Sequence, residues 1–355
     1  MRQRNSLILT ALLAALAAAC NDDTPDATGP SPAHADQAVT ATTTAYSIKN
    51  LGTLGGFFSE ALAINNVGQT VGWSGTRSGQ AHAFIYQAGV MKDLGALAGG
   101  LSQANDINDA GVVVGYSTLL SGAQRAVRWQ NGTKKNLGTL GGRNSQATGI
   151  NEDGVIVGWS ETTSGNRHAF VYQNGVMKDI GTLGGKTSEA YGINKAGKVV
   201  GGSTTASGKR HAFAWVNGKF QDLGDGGTQF GFALAINSGR IVGIFGPPPD
   251  AEGADLDVEQ PFIFSAGVYT RFGTRRHASE PHDVNPDGIV VGGDEDERFQ
   301  DGADAWVRQA DGTLQTLPEL TEDGLDGAYG INKFGTIVGF SETQDGLRAV
   351  IWRPQ

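Results

Sequence analysis

Few side chains in this 355-residue chain are spaced for chemistry, and most of them fall between residues 250 and 301. Alternate carboxylates at Asp255, Asp257 and Glu259, and again at Asp294 and Asp296, offer several oxygens to a hard cation such as calcium, which takes about six to eight. Neither run has the loop, central Gly and terminal Glu of a one-segment calcium site, so a site would be assembled from both. A solvated acidic patch, partly neutralised by Arg275, Arg276 and Arg298, is the competing reading. Between the two runs stand Arg275, Arg276, His277, His282 and Asp283. These are candidate ligand-binding groups: the arginines would hold an acidic group, and His277 or His282 as base would suit a lyase or hydrolase acting on an extracellular polysaccharide. The many neighbouring carboxylates count against a site for an acidic sugar.

Three further histidines recur at one phase, His82, His168 and His211. Their spacing puts them in different repeats, so hydrogen bonds to the turn residues Asn65, Asn151 and Asn194 or to loop serines are expected rather than metal ligation. Gly-x-Ser-x-Gly, Gly-Lys-Ser/Thr and His-Glu-x-x-His motifs and a cysteine pair are all lacking, which removes the commoner hydrolase, nucleotidase and zinc chemistries. The formal charge is -9, and it would become -11 once residues 1–19, with Arg2 and Arg4, were cleaved. Such a surface repels phosphate backbones, which excludes nucleic acid as a partner.

Residues 1–19 pair a basic start with an apolar run, Leu7 to Ala19, that is too short to span a bilayer core; this is a secretion signal. Leu16-Ala17-Ala18-Ala19-Cys20 resembles a bacterial lipoprotein signal, whose cysteine is lipidated, although Ala17 stands where such signals usually carry Leu. Ordinary cleavage after an A-x-A site is the alternative. Cys20 is the only cysteine, and a lone exported thiol without a role is unusual, which favours lipidation. Residues 20–44, poor in large apolar side chains, read as a lipid-anchored flexible tether, and the folded part is 45–355.

The frame for these groups is a repeat. Gly is 54 of 355 residues and charged residues only 18%, a composition for short strands and tight turns, hence an all-β chain. Asn65, Asn108, Asn151, Asn194 and Asn237 are spaced by 43 residues, with Asn285 and Asn332 continuing the series and a Val-Gly pair following each: seven repeats. Each holds four strand-like runs, a to d. Runs a and b are joined by Asn-x-x-Gly, runs c and d by dipeptides such as Asn174-Gly175 and Asn217-Gly218. The Leu-Gly-Gly segments read as turns. The chain ends after a run c, at Trp352 to Gln355, and begins with a spare run d, Tyr46 to Gly52. A ring uses such a phase shift to hide both sheet edges, so the expected fold is a seven-bladed β-propeller of four antiparallel strands per blade, the last completed by the N-terminal strand.

His82-Ala83-Phe84, His168-Ala169-Phe170 and His211-Ala212-Phe213, with the Leu-Gly-Thr-Leu-Gly-Gly copies, resemble the bacterial extracellular HAF-repeat proteins over Ala45 to Gln355. The resemblance implies export and a repeat fold and carries no assigned activity. Arg125, Gln260, Asp304 and Arg348 depart from the histidine. The expected function is that of an exported, envelope-anchored, non-catalytic module binding a protein or glycan, with the polysaccharide enzyme as alternative. A monomer is expected, with no cofactor other than calcium on the acidic loops and no membrane contact other than the lipid. Function is expected on the rim of the b–c and d–a loops, since the opposite rim of a–b and c–d turns is uniform.

Overall fold

The computed structural model describes residues 44–228, 230–246, 260–272, 279–294, 304–322 and 324–355. Apart from turns they are all strand. In chain order the strands are β1 (Tyr46–Asn50), β2 (Gly55–Ile64), β3 (Thr70–Thr76), β4 (Ala81–Gln87), β5 (Val90–Asp93), β6 (Ser102–Ile107), β7 (Val113–Thr118), β8 (Gln124–Gln130) and β9 (Thr133–Asn136). There follow β10 (Gly141–Ile150), β11 (Ile156–Thr162), β12 (Arg167–Gln173), β13 (Val176–Gly181), β14 (Gly184–Ile193), β15 (Val199–Thr205), β16 (Arg210–Val216), β17 (Lys219–Gly224), β18 (Phe230–Asn237) and β19 (Arg240–Gly246). The last are β20 (Gln260–Ser265), β21 (Val268–Arg271), β22 (Ser279–Val284), β23 (Val290–Asp294), β24 (Ala305–Arg308), β25 (Leu314–Thr316), β26 (Asp326–Ile331), β27 (Ile337–Thr343) and β28 (Gly346–Pro354).

Among the described residues these strands make six sheets. Five have four strands, and the sixth has eight, built from the fourth and fifth repeats. That larger sheet is two antiparallel meanders, β14 to β17 and β18 to β21, joined only where Arg210 of β16 pairs in parallel with Phe230 of β18. Each meander follows its sequence hairpins. The c–d dipeptides put Asn131, Asn174 and Asn217 at φ of 50° to 54°, a left-handed conformation that Asn tolerates better than most residues.

The Val-Gly pair has a specific cause. A Cβ on Gly72 would lie 1.9 Å from the Glu60 carbonyl oxygen, and on Gly158 2.0 Å from that of Gln146, so strand b touches strand a where only glycine fits. The same strand a carries a one-residue bulge just beyond, between Ala61 and Ala63 in β2 and at the matching place in every repeat. Opposite these glycines pack the run c aromatics; Phe84, Phe170 and Phe213 are fully buried. The Leu-Gly-Gly segments differ from their reading as turns. Gly55, Gly141 and Gly184 open strand a, and a Cβ on Gly56 would lie 2.4 Å from the Gly75 backbone, so these glycines permit strand crossing rather than chain reversal.

The first and last of these strands share a sheet. Tyr46 to Asn50 of β1 pair antiparallel with Pro354 to Val350 of β28, Leu51 N donates to Ala349 O at 2.9 Å, and Tyr46 and Ile48 pack against buried Trp352. A second set of bonds runs around the a–b turns. Asn Nδ2 donates to the carbonyl of the equivalent Asn one repeat on: Asn65 to Asn108, Asn108 to Asn151, Asn151 to Asn194, Asn285 to Asn332, and Asn332 to Asn65 across the junction of the ends. Each Oδ1 accepts the N–H four residues on, as from Val155 to Asn151 at 2.9 Å. Asn237 differs because its turn is one residue shorter, which pairs Asn237 directly with Arg240.

Candidate functional site

Of the residues singled out by sequence, Cys20, Asp255, Asp257, Glu259, Arg275, Arg276, His277 and Asp296 lie outside the described residues; Asp294 closes β23, and His282 and Asp283 lie in β22. Among the described residues no three His, Cys, Asp or Glu side chains converge to hold a metal.

The repeated histidines have other partners than those expected. His82 Nδ1 lies 2.8 Å from Asp93, His168 Nδ1 2.7 Å from Asp179 and His211 Nδ1 2.9 Å from Asp222, each pair facing across the c–d hairpin. The same carboxylate accepts the N–H of Gly95, Gly181 or Gly224, so the aspartate ends run d while the imidazole holds it. Where arginine replaces the histidine, the uncharged asparagine replaces the aspartate. Arg125 stands in the repeat of Asn136 and Arg348 in that of Asn50, and both guanidiniums turn to backbone carbonyls instead. For Arg125 that exchange was visible in the sequence as a second substitution eleven residues on, at Asn136, and for Arg348 it lies in the spare first run d, at Asn50. The asparagines and serines are engaged elsewhere: Ser102 Oγ accepts from Ala83 N at 2.9 Å and donates to Gly95 O at 3.0 Å, joining one repeat to the next.

His282 occupies the strand-a bulge. The polar bulge residues reach the next inner strand: Asn105 Nδ2 donates to Ala147 O at 2.7 Å, Thr148 Oγ1 to Ala190 O at 2.9 Å, and His282 Nδ1 to Ala328 O at 3.0 Å. A carbonyl requires a proton on Nδ1, and Nε2 stands 3.7 Å from Glu280. Asp283 bridges the same two strands, accepting Val284 N and Ile331 N at 2.7 and 3.0 Å; Asp106 does the same with Ile107 N and Ile150 N at 2.7 and 2.8 Å. Burial pushes the Asp106 carboxyl up to about 7, with the Asp283 charge adding to it, and Asp283 up to about 6.

The inner strands also vary at the level of Glu60, toward the loop rim. There the cross-strand pairs are Glu60 with Trp73, Gln103 with Tyr116, Gln146 with Trp159, Glu189 with Gly202, and Gly327 with Phe340. The densest group is around Glu189, which accepts from Arg167 at 3.0 Å, Arg210 at 2.7 Å and the Tyr191 hydroxyl at 2.6 Å. Arg167 lies 4.1 Å over Trp159 and Arg210 4.2 Å over Phe232. Burial alone would raise the Glu189 carboxyl, but Arg210, Tyr191 and Arg167 outweigh it and hold it low; burial and Glu189 push the Tyr191 hydroxyl up. In the seventh repeat Asp326 stands where others bury Ser59, Ser102, Ser145 or Ser188, and its Oδ1 meets no hydrogen-bond donor among the described residues. Burial pushes its carboxyl up to about 7, with Glu319, Asp304 and Glu342 adding to it. Aromatic faces beside amides, carboxylates and guanidiniums are binding chemistry for a polar ligand. Sequence reading missed this level because no cross-strand pair recurs from one repeat to the next.

No protein-family model and no curated protein matches the chain. Solved structures do. The chain is similar to the β-propeller domain, of open velcro topology, of the Trilobed protease from Pyrococcus furiosus (TM-score 0.54, 11% identity, 83% of this chain and 93% of that one). It is also similar to virginiamycin B lyase from Staphylococcus aureus (0.54, 11%, 87% and 100%) and to the acylaminoacyl peptidase of Pyrococcus horikoshii (0.55, 11%, 84% and 52%). At such identity the likeness is one of fold, and the fold is a β-propeller.

Proposed function

We propose that this chain is an exported, seven-bladed propeller, anchored to the bacterial envelope through a lipid on Cys20, that binds a protein or glycan without catalysis on its loop rim. The seven-blade reading divides the eight-stranded sheet at its single parallel pair, since each half is a complete meander following one sequence repeat. One observation carries the function: repetition is kept on the turn rim, where asparagines tie neighbour to neighbour, and abandoned at the Glu60 level of the inner strands, where carboxylate, amide, guanidinium and aromatic groups alternate. A scaffold needs the first, and a specific surface needs the second.

The test is binding of the mature chain to arrays of glycans and envelope proteins. A ligand bound by the parent should lose about tenfold in affinity, about 1.4 kcal/mol, in Trp73→Ala or Arg167→Ala and nothing in Val176→Ser on the turn rim. Equal loss in all three would move the site elsewhere. The enzymatic alternative is read in the same preparation: release of unsaturated product from a polyuronide, lost in His282→Ala, would replace the binding reading.

A further inference from the structure

The apolar surface of the propeller is unevenly distributed. Of the eight large hydrophobic side chains that stand exposed among the described residues, Val67, Val90, Val176, Val268, Leu314 and Phe334 lie on the turn rim, and two, Phe57 and Leu120, lie on the loop rim. Three of the six belong to the repeat whose sheet β1 completes or to its two neighbours. Gln315, next to Leu314, donates to Thr44 O at 2.9 Å, and Gln355 N donates to Ala45 O at 2.9 Å, so the first described residues leave from the turn rim. Phe334 and Val67 sit in neighbouring a–b turns joined by Lys333 N to Asn66 Oδ1 at 3.1 Å, and the Lys333 ammonium lies 4.9 Å from the Phe334 ring. Phe334 is 62% exposed, Val67 64% and Leu314 52%.

From this arrangement we infer that the turn rim around Phe334, Val67 and Leu314 rests on a lipid bilayer, with the loop rim facing away. The inference builds on lipidation of Cys20. An aromatic ring, small aliphatic side chains and a lysine able to reach up to headgroups are the chemistry of a shallow interfacial contact. Length supports the orientation. Cys20 precedes Thr44 by 24 residues, and a flexible coil of that length has an r.m.s. span of about 27 Å. The ten-residue strand β2 is itself about 33 Å long at about 3.3 Å per residue. With the loop rim toward the membrane those 24 residues would have to cover the full height of the propeller; with the turn rim toward it they need cover almost none.

The test uses the mature chain with Cys20→Ala and a hexahistidine ahead of Asn21, held on phosphatidylcholine–phosphatidylglycerol vesicles through a nickel-chelating lipid. With its only native cysteine gone, Phe334→Cys, Val67→Cys and Phe57→Cys each carry one environment-sensitive fluorophore, and each is first shown to melt with the parent. Probes at 334 and 67 should shift to the blue and be quenched by a lipid-borne quencher severalfold more than the probe at 57. Equal quenching at the three positions, or stronger quenching at 57, overturns the inference. Fractionation of cells expressing the unmodified chain reads lipidation separately. A chain found in the soluble fraction would end the anchor reading while the vesicle result still decided which rim meets lipid.

Discussion

The asparagine relay makes a quantitative prediction, because one of its members is built differently. Asn151 is buried, its Oδ1 accepts Val155 N at 2.9 Å and Asp153 N at 3.1 Å, and its Nδ2 donates to Asn194 O at 3.3 Å. Alanine there removes three hydrogen bonds of about 0.5 to 1.5 kcal/mol each and strands buried backbone groups, so a loss of about 2 to 4 kcal/mol is expected. Asn237 sits in the shorter turn, and its described side-chain bond is to Ser238 at 3.3 Å, so Asn237→Ala should cost under about 1 kcal/mol. Asn332→Ala, which cuts the bond to Asn65 O at 3.2 Å between the last and first repeats, should match Asn151→Ala. Urea unfolding of the three variants against the parent at a fixed pH measures these differences through the midpoint at constant slope. If Asn237→Ala loses as much as Asn151→Ala, the relay is not what stabilises the turn rim, and the argument from it fails.

Deleting Ala45 to Gly52 removes β1 and bares the edge of β28, with bonds of about 1 kcal/mol each and the buried Leu51; the product should melt more than ten degrees lower, at about 2 to 4 °C per kcal/mol, and a melt within a few degrees of the parent would refute closure. Gly158→Ala should fail to fold or lose several kcal/mol, since its Cβ would stand 2.0 Å from the Gln146 carbonyl, whereas Gly154→Ala, with open space around it, should keep the fold at a cost of about 1 kcal/mol for its φ of 76°, a comparison that circular dichroism decides. Stability should fall as pH rises from 5 to 8: Asp106 at about 7, Asp283 at about 6 and Asp326 at about 7 are raised above an unfolded value of about 3.9, so their contribution is whole below about pH 4 and lost through those folded values. Asp326→Ser, restoring the side chain of the other repeats, should flatten part of that dependence in a thermal melt series. For the acidic loops, millimolar calcium over EDTA should raise the melting temperature, an effect lost in Asp294→Ala/Asp296→Ala, and an unchanged parent melt would leave only a solvated patch.

What repeats was legible, because repetition averages out local ambiguity. The hairpin dipeptides, the run c aromatics and the spare first strand all fall where the sequence puts them. What depends on register was not. A bulge shifts pairing by one residue without changing the hydrophobic pattern, so the reach of Asn105, Thr148 and His282 to the next inner strand has no signature along the chain. The histidine partners were sought in turns, although pairing of Phe84 with Asp93 brings His82 to that aspartate across the hairpin. The Leu-Gly-Gly segments misled because Gly marks both turns and strand crossings. The acidic segments after Gly246 and Asp294 have no counterpart in the other repeats, so repetition says nothing of where they go.

The pairing of β1 with β28 also sets an order of events. Every other meander is assembled from neighbouring residues, so it can form as soon as its own segment is free. The final one waits for the chain's last residues: Ser47 Oγ meets Arg353 O from 306 positions away. Closing so long a loop is a slow step, because its entropy is lost before any contact repays it. Until then both ends of an otherwise finished molecule present bare strand edges, the state most open to self-association and proteolysis. A product truncated before Trp352 stays in that state, and the pairing of β1 with β28 thereby acts as a check that the seventh repeat has been made.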